Sequence, residues 1–228
     1  LQAVFQDPYS SLNPRMRVRD AIAEPLENFG LARSSAETTE KVRDLLAQVG
    51  LPADAWKRYP HEFSGGQRQR LCIARALAPG ADLIICDEAV SELDVSVKAQ
   101  IVNLLCDLQQ RTGVAYLFIS HDLAIVEHLT HRVAVMYLGK IVEIADRRRL
   151  FGKPHHPYTK ALLSAALEPS PGRRAERIVL KGDAPNPANP PSGCRFHTRC
   201  PVAFARCRTE EPLLRSVDGP HLSACHRD

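Results

Sequence analysis

The sequence predicts an α/β fold built on a parallel sheet, followed by a loop-rich tail that carries cysteines. Three observations predict it. Leu83-Ile84-Ile85-Cys86 and Val114 to Ile119 are short, continuous apolar runs of the kind buried on both faces of parallel sheets. Between them Val97, Ile101, Leu104, Leu105 and Leu108 form a helical stripe, so strand, helix and strand follow in βαβ order. Composition then shifts near Asp146: residues 146–228 hold 11 of the 17 prolines, four of the seven cysteines, and 15 Lys+Arg against 8 Asp+Glu. Residues 1–145 hold 15 Lys+Arg against 18 Asp+Glu, which places a boundary between 1–145 and 146–228.

At 228 residues, 44% hydrophobic and 25% charged, the chain has ordinary globular composition, which excludes a disordered or fibrous protein. Its longest apolar runs, such as Leu162 to Leu167 around Ser164, fall far short of the roughly eighteen residues of a membrane helix. The start, Leu1 to Gln6, shows neither an initiator Met nor a secretory pattern, and is expected to lie inside a longer sequence. No internal repeat is visible. The basic tail would suit nucleic acid or anionic lipid, but arginines scattered among prolines are more often a solvated surface, and no nucleic-acid partner is expected.

The elements follow in order. After an extended start, Val42, Leu45, Leu46 and Val49 recur at helical spacing and Gly50 stops the helix. The first apolar strand, the helical stripe and the second apolar strand come next. Leu123, Val126 and Leu129 predict a short helix, and Val133 to Leu138 with Ile141 to Ile144 predict two strands around a tight turn at Gly139-Lys140. A further helix is expected from Tyr158 to Leu167, ending before Pro169. Beyond it, Pro185, Pro187, Pro190 and Pro191 forbid regular structure until the cysteines begin.

Three segments carry chemistry. The strand Leu83 to Cys86 runs into Asp87-Glu88, two acids at the carboxyl end of a parallel strand, where α/β sheets place ligands. Asp87 would hold Mg²⁺ and Glu88 would polarise the water that attacks a γ-phosphate; acids favoured by a helix dipole would look similar. Phe63-Ser64-Gly65-Gly66-Gln67 precedes a helix-like stretch, and its glycine N-H groups, Ser64 hydroxyl and helix N-terminus suit a phosphate, although a plain Ser-Gly-Gly cap is an equal reading. His121 follows the next strand and could hydrogen-bond a γ-phosphate.

The order of these motifs resembles the nucleotide-binding subunits of ABC transporters. Val4-Phe5-Gln6 resembles the Q-loop, Phe63 to Gln67 the signature, Leu83 to Glu88 the Walker B segment, Ser91-Glu92-Leu93-Asp94 the D-loop, and His121 the switch histidine. Gln6 to Pro14, Tyr137 to Glu143 and His156-Pro157-Tyr158-Thr159 resemble the oligopeptide/dipeptide importers more narrowly, and the tail resembles their C-terminal domain. The resemblance implies a P-loop NTPase-like ABC ATPase core, a helical subdomain at about 14–80 and a loop-rich C-terminal extension.

For the site, it implies catalytic roles for Glu88, His121 and Gln6, nucleotide contacts from Ser64, Gly65, Gly66, Gln67 and Asp94, and Mg²⁺ on Asp87 and Gln6. The implied function is an ATPase energising a bacterial importer of peptides or related solutes such as nickel. Its partners would be a second ATPase subunit, membrane permease subunits and, indirectly, a solute-binding protein, at the cytoplasmic face of the membrane. Two departures stand out. Glu92 replaces the small Ala usual in the D-loop, and no G-x-x-x-x-G-K-[ST] occurs, so the core is expected to be incomplete and the 228 residues inactive alone. A soluble ABC ATPase acting on nucleic acid, and a non-catalytic remnant with a metal-binding tail, are the alternatives.

Cys194, Cys200, Cys207 and Cys225 are spaced C-x5-C-x6-C-x17-C in a segment poor in apolar residues, where a staple is expected. Disulfides suit a secreted protein, and zinc typically uses shorter C-x2-4-C pairs. The resemblance, which includes members with an iron-sulfur cluster, tips the expectation to [4Fe-4S] over Zn²⁺, with Arg195, Arg199, Arg206 and Arg208 offsetting the thiolates. Cys72, Cys86 and Cys106 are expected to be structural.

Overall fold

The computed structural model describes residues 1–166 and 178–227. Contacts divide the chain into two compact units, Leu1–Ile125 and Val126–Asp228.

The first unit opens with β1 (Gln2–Val4), followed by helices α1 (Val18–Asn28), α2 (Ser35–Gln48) and α3 (Gly65–Leu77), then β2 (Leu83–Asp87), α4 (Val95–Thr112) and β3 (Ala115–Ile119). The sheet is all parallel in the order β1-β2-β3, with Val4 opposite Cys86 and Asp87 opposite Ile119. In α2 the expected stripe is buried, and Gly50 beyond its end takes φ +70, a left-handed conformation that glycine adopts without a Cβ clash. Gly113 ends α4 the same way at φ +74. Ile101, Leu104, Leu105 and Leu108 of α4 are buried, as the stripe requires, together with Ile84 and Cys86 of β2.

One expectation is corrected here. The run Val114 to Ile119 is not buried on both faces: Leu117 is 52% and Ile119 46% exposed, because they share with Ala115 the one face of β3 that is left uncovered.

Helix α5 (Leu123–Leu129) follows, and the second unit contains β4 (Arg132–Tyr137), β5 (Lys140–Asp146), α6 (Arg147–Gly152), α7 (Pro157–Ala166), α8 (Ala205–Thr209), β6 (Arg215–Asp218) and β7 (His221–Ser223). Leu138 (φ +46) and Gly139 (φ +76) form the turn between β4 and β5, both left-handed as a two-residue hairpin demands. The antiparallel sheet runs β4-β5-β7-β6. This pairing explains why contacts divide the chain before β4 while composition shifts near Asp146: β5 takes its partner β7 from the far end of the tail. The expected end of the α7 helix, Leu167 to Pro169, lies outside the described residues.

The tail is also less coreless than its composition implies. Phe196 is 1% exposed and packs with Val135, Tyr137, Val142, Ala145 and Leu150, with Cys194 and Cys200 at the margin of that cluster.

Candidate functional site

The carboxyl edge of the parallel sheet gathers the acidic residues. Beyond Val4 the chain continues to Gln6, and beyond Cys86 it continues to Asp87 and Glu88, so the two strand ends emerge side by side. Glu88 has φ +48, a conformation costly for a residue with a Cβ. The backbone around it holds that conformation. Its N-H donates to Ile119 O at 3.0 Å, and its carbonyl accepts from Ser91 N at 3.0 Å and Ser91 Oγ at 2.9 Å. Strain held in this way at a sheet edge is characteristic of functional positions.

The result is that Glu88 Oε1 lies 3.1 Å from His121 Nδ1. A carboxylate only accepts, so the contact assigns the proton to Nδ1 and leaves Nε2 facing away from Glu88. His121 is exposed and Asp87 is exposed, so the edge is open to a ligand.

Gln6 was expected at this edge, and its partner was not. Gln6 Nε2 donates to Glu92 Oε1 at 3.3 Å, which turns the amide oxygen away from Glu92 as an available ligand atom. Glu92 is thus in contact with Gln6; its charge was the signal in the sequence, but a contact across 86 positions was not legible. Three side chains of α3 hold the segment after β1: Gln69 Nε2 donates to Phe5 O at 3.5 Å, Arg75 Nη1 donates to Ser11 O at 2.6 Å, and Arg68 lies 3.8 Å from the Tyr9 ring centre.

The Ser64–Gln67 turn has a different local explanation. Ser64 caps α3: its Oγ accepts from Gln67 N at 3.3 Å while Gln67 Oε1 accepts from Ser64 N at 3.0 Å. A Cβ on Gly66 would sit 2.4 Å from Val97 Cγ1, so that glycine is required by the approach of α4. Gly65 has no such conflict. Among the described residues no hydrogen bond joins this turn to Glu88 or His121. Asp94, the N-cap of α4, is exposed and its side chain makes no cap bond.

The donor set at the sheet edge fits Mg²⁺, which takes one or two carboxylates and completes its shell with phosphate and water. Asp87 and the Gln6 amide oxygen are the residues that would supply that chemistry. The same residues fit only part of an ATP site, since none of them forms a P-loop.

A second cluster lies in the tail. Cys194, Cys200, Cys207 and Cys225 line one cavity with His156, Pro157, Phe196, His197, Val202, His226 and Arg227. No disulfide joins any of the described cysteines. Burial pushes the Cys194 and Cys200 thiols up, and the neighbouring thiols add to the shift at Cys194. Among the described residues no group of three or more His, Cys, Asp or Glu is arranged to hold a metal ion, so the structure does not display the metal centre expected here.

Two of the four arginines expected to offset the thiolates are engaged elsewhere. Arg206 pairs with Glu210 at 2.6 Å, and Arg195 donates to Leu138 O. Arg227, which was not singled out in the sequence, is the cation that lowers the Cys200 pKa against burial.

The class defined by this sheet, its acidic edge and the capped glycine turn is the ABC-type nucleotide-binding fold. Residues 1–91 match the ABC transporter family and residues 142–207 match the oligopeptide/dipeptide transporter C-terminal region. The chain is 59% identical over 226 residues to the "Probable peptide ABC transporter ATP-binding protein y4tS" of Sinorhizobium fredii, covering 99% of this chain and 64% of that protein. It is 52% identical over 230 residues to the "Oligopeptide transport ATP-binding protein AppF" of Bacillus subtilis, covering 99% of this chain and 69% of that protein. Among solved structures, cbiO1 from Clostridium perfringens, part of the ABC transporter complex cbiONQ, matches with a TM-score of 0.59 and 25% identity, over 67% of this chain and 59% of that one. The chain belongs to the family of ATP-binding subunits of peptide ABC transporters.

Proposed function

We propose that this chain is the hydrolytic and coupling part of an ATPase subunit that energises uptake of peptides through a membrane permease. The Glu88–His121 contact at the carboxyl edge of adjacent parallel strands carries the proposal. Glu88 takes up and orients the attacking water through its second oxygen, and the imidazole of His121, fixed by Nδ1, presents Nε2 to the phosphate side. Mg²⁺ on Asp87 and Gln6 would supply charge neutralisation at the phosphates. Gln6 joins this edge to the segment held by α3, which offers a mechanical path from the site to a partner. Ser64 to Gln67, with Asp94, would serve the nucleotide of a second ATPase subunit.

The subunit would sit at the cytoplasmic face by binding permease subunits, with a separate solute-binding protein delivering peptide; among the described residues no helix is long and apolar enough to cross a membrane. The test is ATP-driven peptide uptake into vesicles carrying the permease with and without this subunit. Uptake that persists without this subunit would refute the reading.

The four tail cysteines support a second, separate reading. They line one cavity but are not set as a metal site among the described residues, so a four-thiolate centre, most simply an iron-sulfur cluster, would have to draw the thiols together and would then cross-link the extension. Anaerobically purified protein is expected to contain stoichiometric iron and acid-labile sulfide. One zinc per chain without iron would replace the cluster with zinc.

A further inference from the structure

We infer that Glu143 is the positioning residue of the cysteine cavity, an inference that rests on the reading of those cysteines as one functional centre. Glu143 lies in β5 inside the apolar run Ile141-Val142-Glu143-Ile144-Ala145 and is 0% exposed. Such burial demands partners. Oε1 accepts from His155 N at 2.7 Å and contacts His221 Nε2 at 2.6 Å, and Oε2 accepts from His156 N at 3.0 Å. His221 is itself 2% exposed.

These bonds fix two walls of the cavity from one point. The first wall is His156 and Pro157, both lining residues, with the His156 ring 5.8 Å from that of Phe196. The second is reached through β7, which pairs with β5 at Glu143 opposite Ser223 and leads directly to the lining residues Cys225, His226 and Arg227. The His155 ring packs edge-on against His221 at 4.7 Å, joining the two walls behind the carboxylate.

The site also specifies a carboxylate. Two of its partners are backbone N-H donors, one on each oxygen, so both oxygens must accept. A glutamine of equal size would turn its NH₂ onto one of those donors. Glu143→Gln is therefore expected to act like a loss of the side chain rather than as an isosteric replacement.

The experiment maps alkylation rates cysteine by cysteine in metal-stripped protein and measures iron, sulfide and zinc in protein as isolated. In Glu143→Gln, Cys194, Cys200, Cys207 and Cys225 should react at least about tenfold faster than in the parent, while Cys72 and Cys86, buried in the other unit, stay unchanged. Should Glu143→Gln unfold the whole chain and expose all six, His221→Leu and His221→Gln give the reading. His221→Leu should expose the four tail thiols, and His221→Gln, which keeps a donor toward Glu143, should protect them. Tail thiols that react at parental rates in Glu143→Gln, or equally in the two His221 variants, would overturn the inference. A parent free of iron, sulfide and zinc would refute the metal reading alone, because thiol protection tests the positioning independently.

Discussion

Glu88 performs two tasks that conflict, and the conflict is measurable. Its carboxylate must meet His121, and its backbone must adopt φ +48 to bring it there. Glycine removes the steric penalty of that conformation. Glu88→Gly is thus expected to raise stability by about 1 kcal/mol in thermal unfolding while abolishing turnover, and a clear loss of stability would show that the strain is absent. Cys86, two residues earlier, is a structural counterpart: burial pushes its thiol up from an ordinary value near 9 to about 12. Above about pH 9 the unfolded chain releases this proton and the folded chain keeps it, so stability falls as pH rises toward 12. Urea melts between pH 8 and 11 should show that decline, and Cys86→Ala should make it shallower even though its cavity lowers stability at every pH.

Among elements, the most sequence-legible were those set by local rules. The α2 stripe with Gly50, and α4 with its left-handed Gly113, follow from periodicity and a stop residue. The strands β6 and β7 were missed because they span only four and three residues, too few for an alternating pattern to register. The Asp218-Gly219 pair, where β6 ends and the turn begins, was their signal. Position decided the glycines of the Ser64–Gln67 turn differently from chemistry. Both suit an anion in sequence, yet Gly66 is demanded by Val97 of α4. Gly66→Ala is expected to cost about 1–3 kcal/mol, and Val97→Ala in the same chain should restore part of it. An additive double mutant, measured by denaturant unfolding, would remove the packing explanation.

At the scale of the whole chain, the strand ends of the candidate site were readable because acids and a histidine follow apolar runs, and parallel strands bring their ends together. Contacts between distant segments were not readable: Gln6 meets Glu92, and Glu143 meets His221, only because folding brings separate strands and loops together. The cysteine spacing indicated a shared site without showing what surrounds it. Composition marked a change near Asp146, whereas strand pairing moved the contact boundary ahead of β4.

The central claim, that Glu88 orients the water for ATP hydrolysis, is tested most directly by single-turnover hydrolysis in the reconstituted transporter carrying Glu88→Gln. Loss of hydrolysis by at least about a hundredfold with MgATP still bound is the expected result. Near-parental hydrolysis in that variant would contradict the claim.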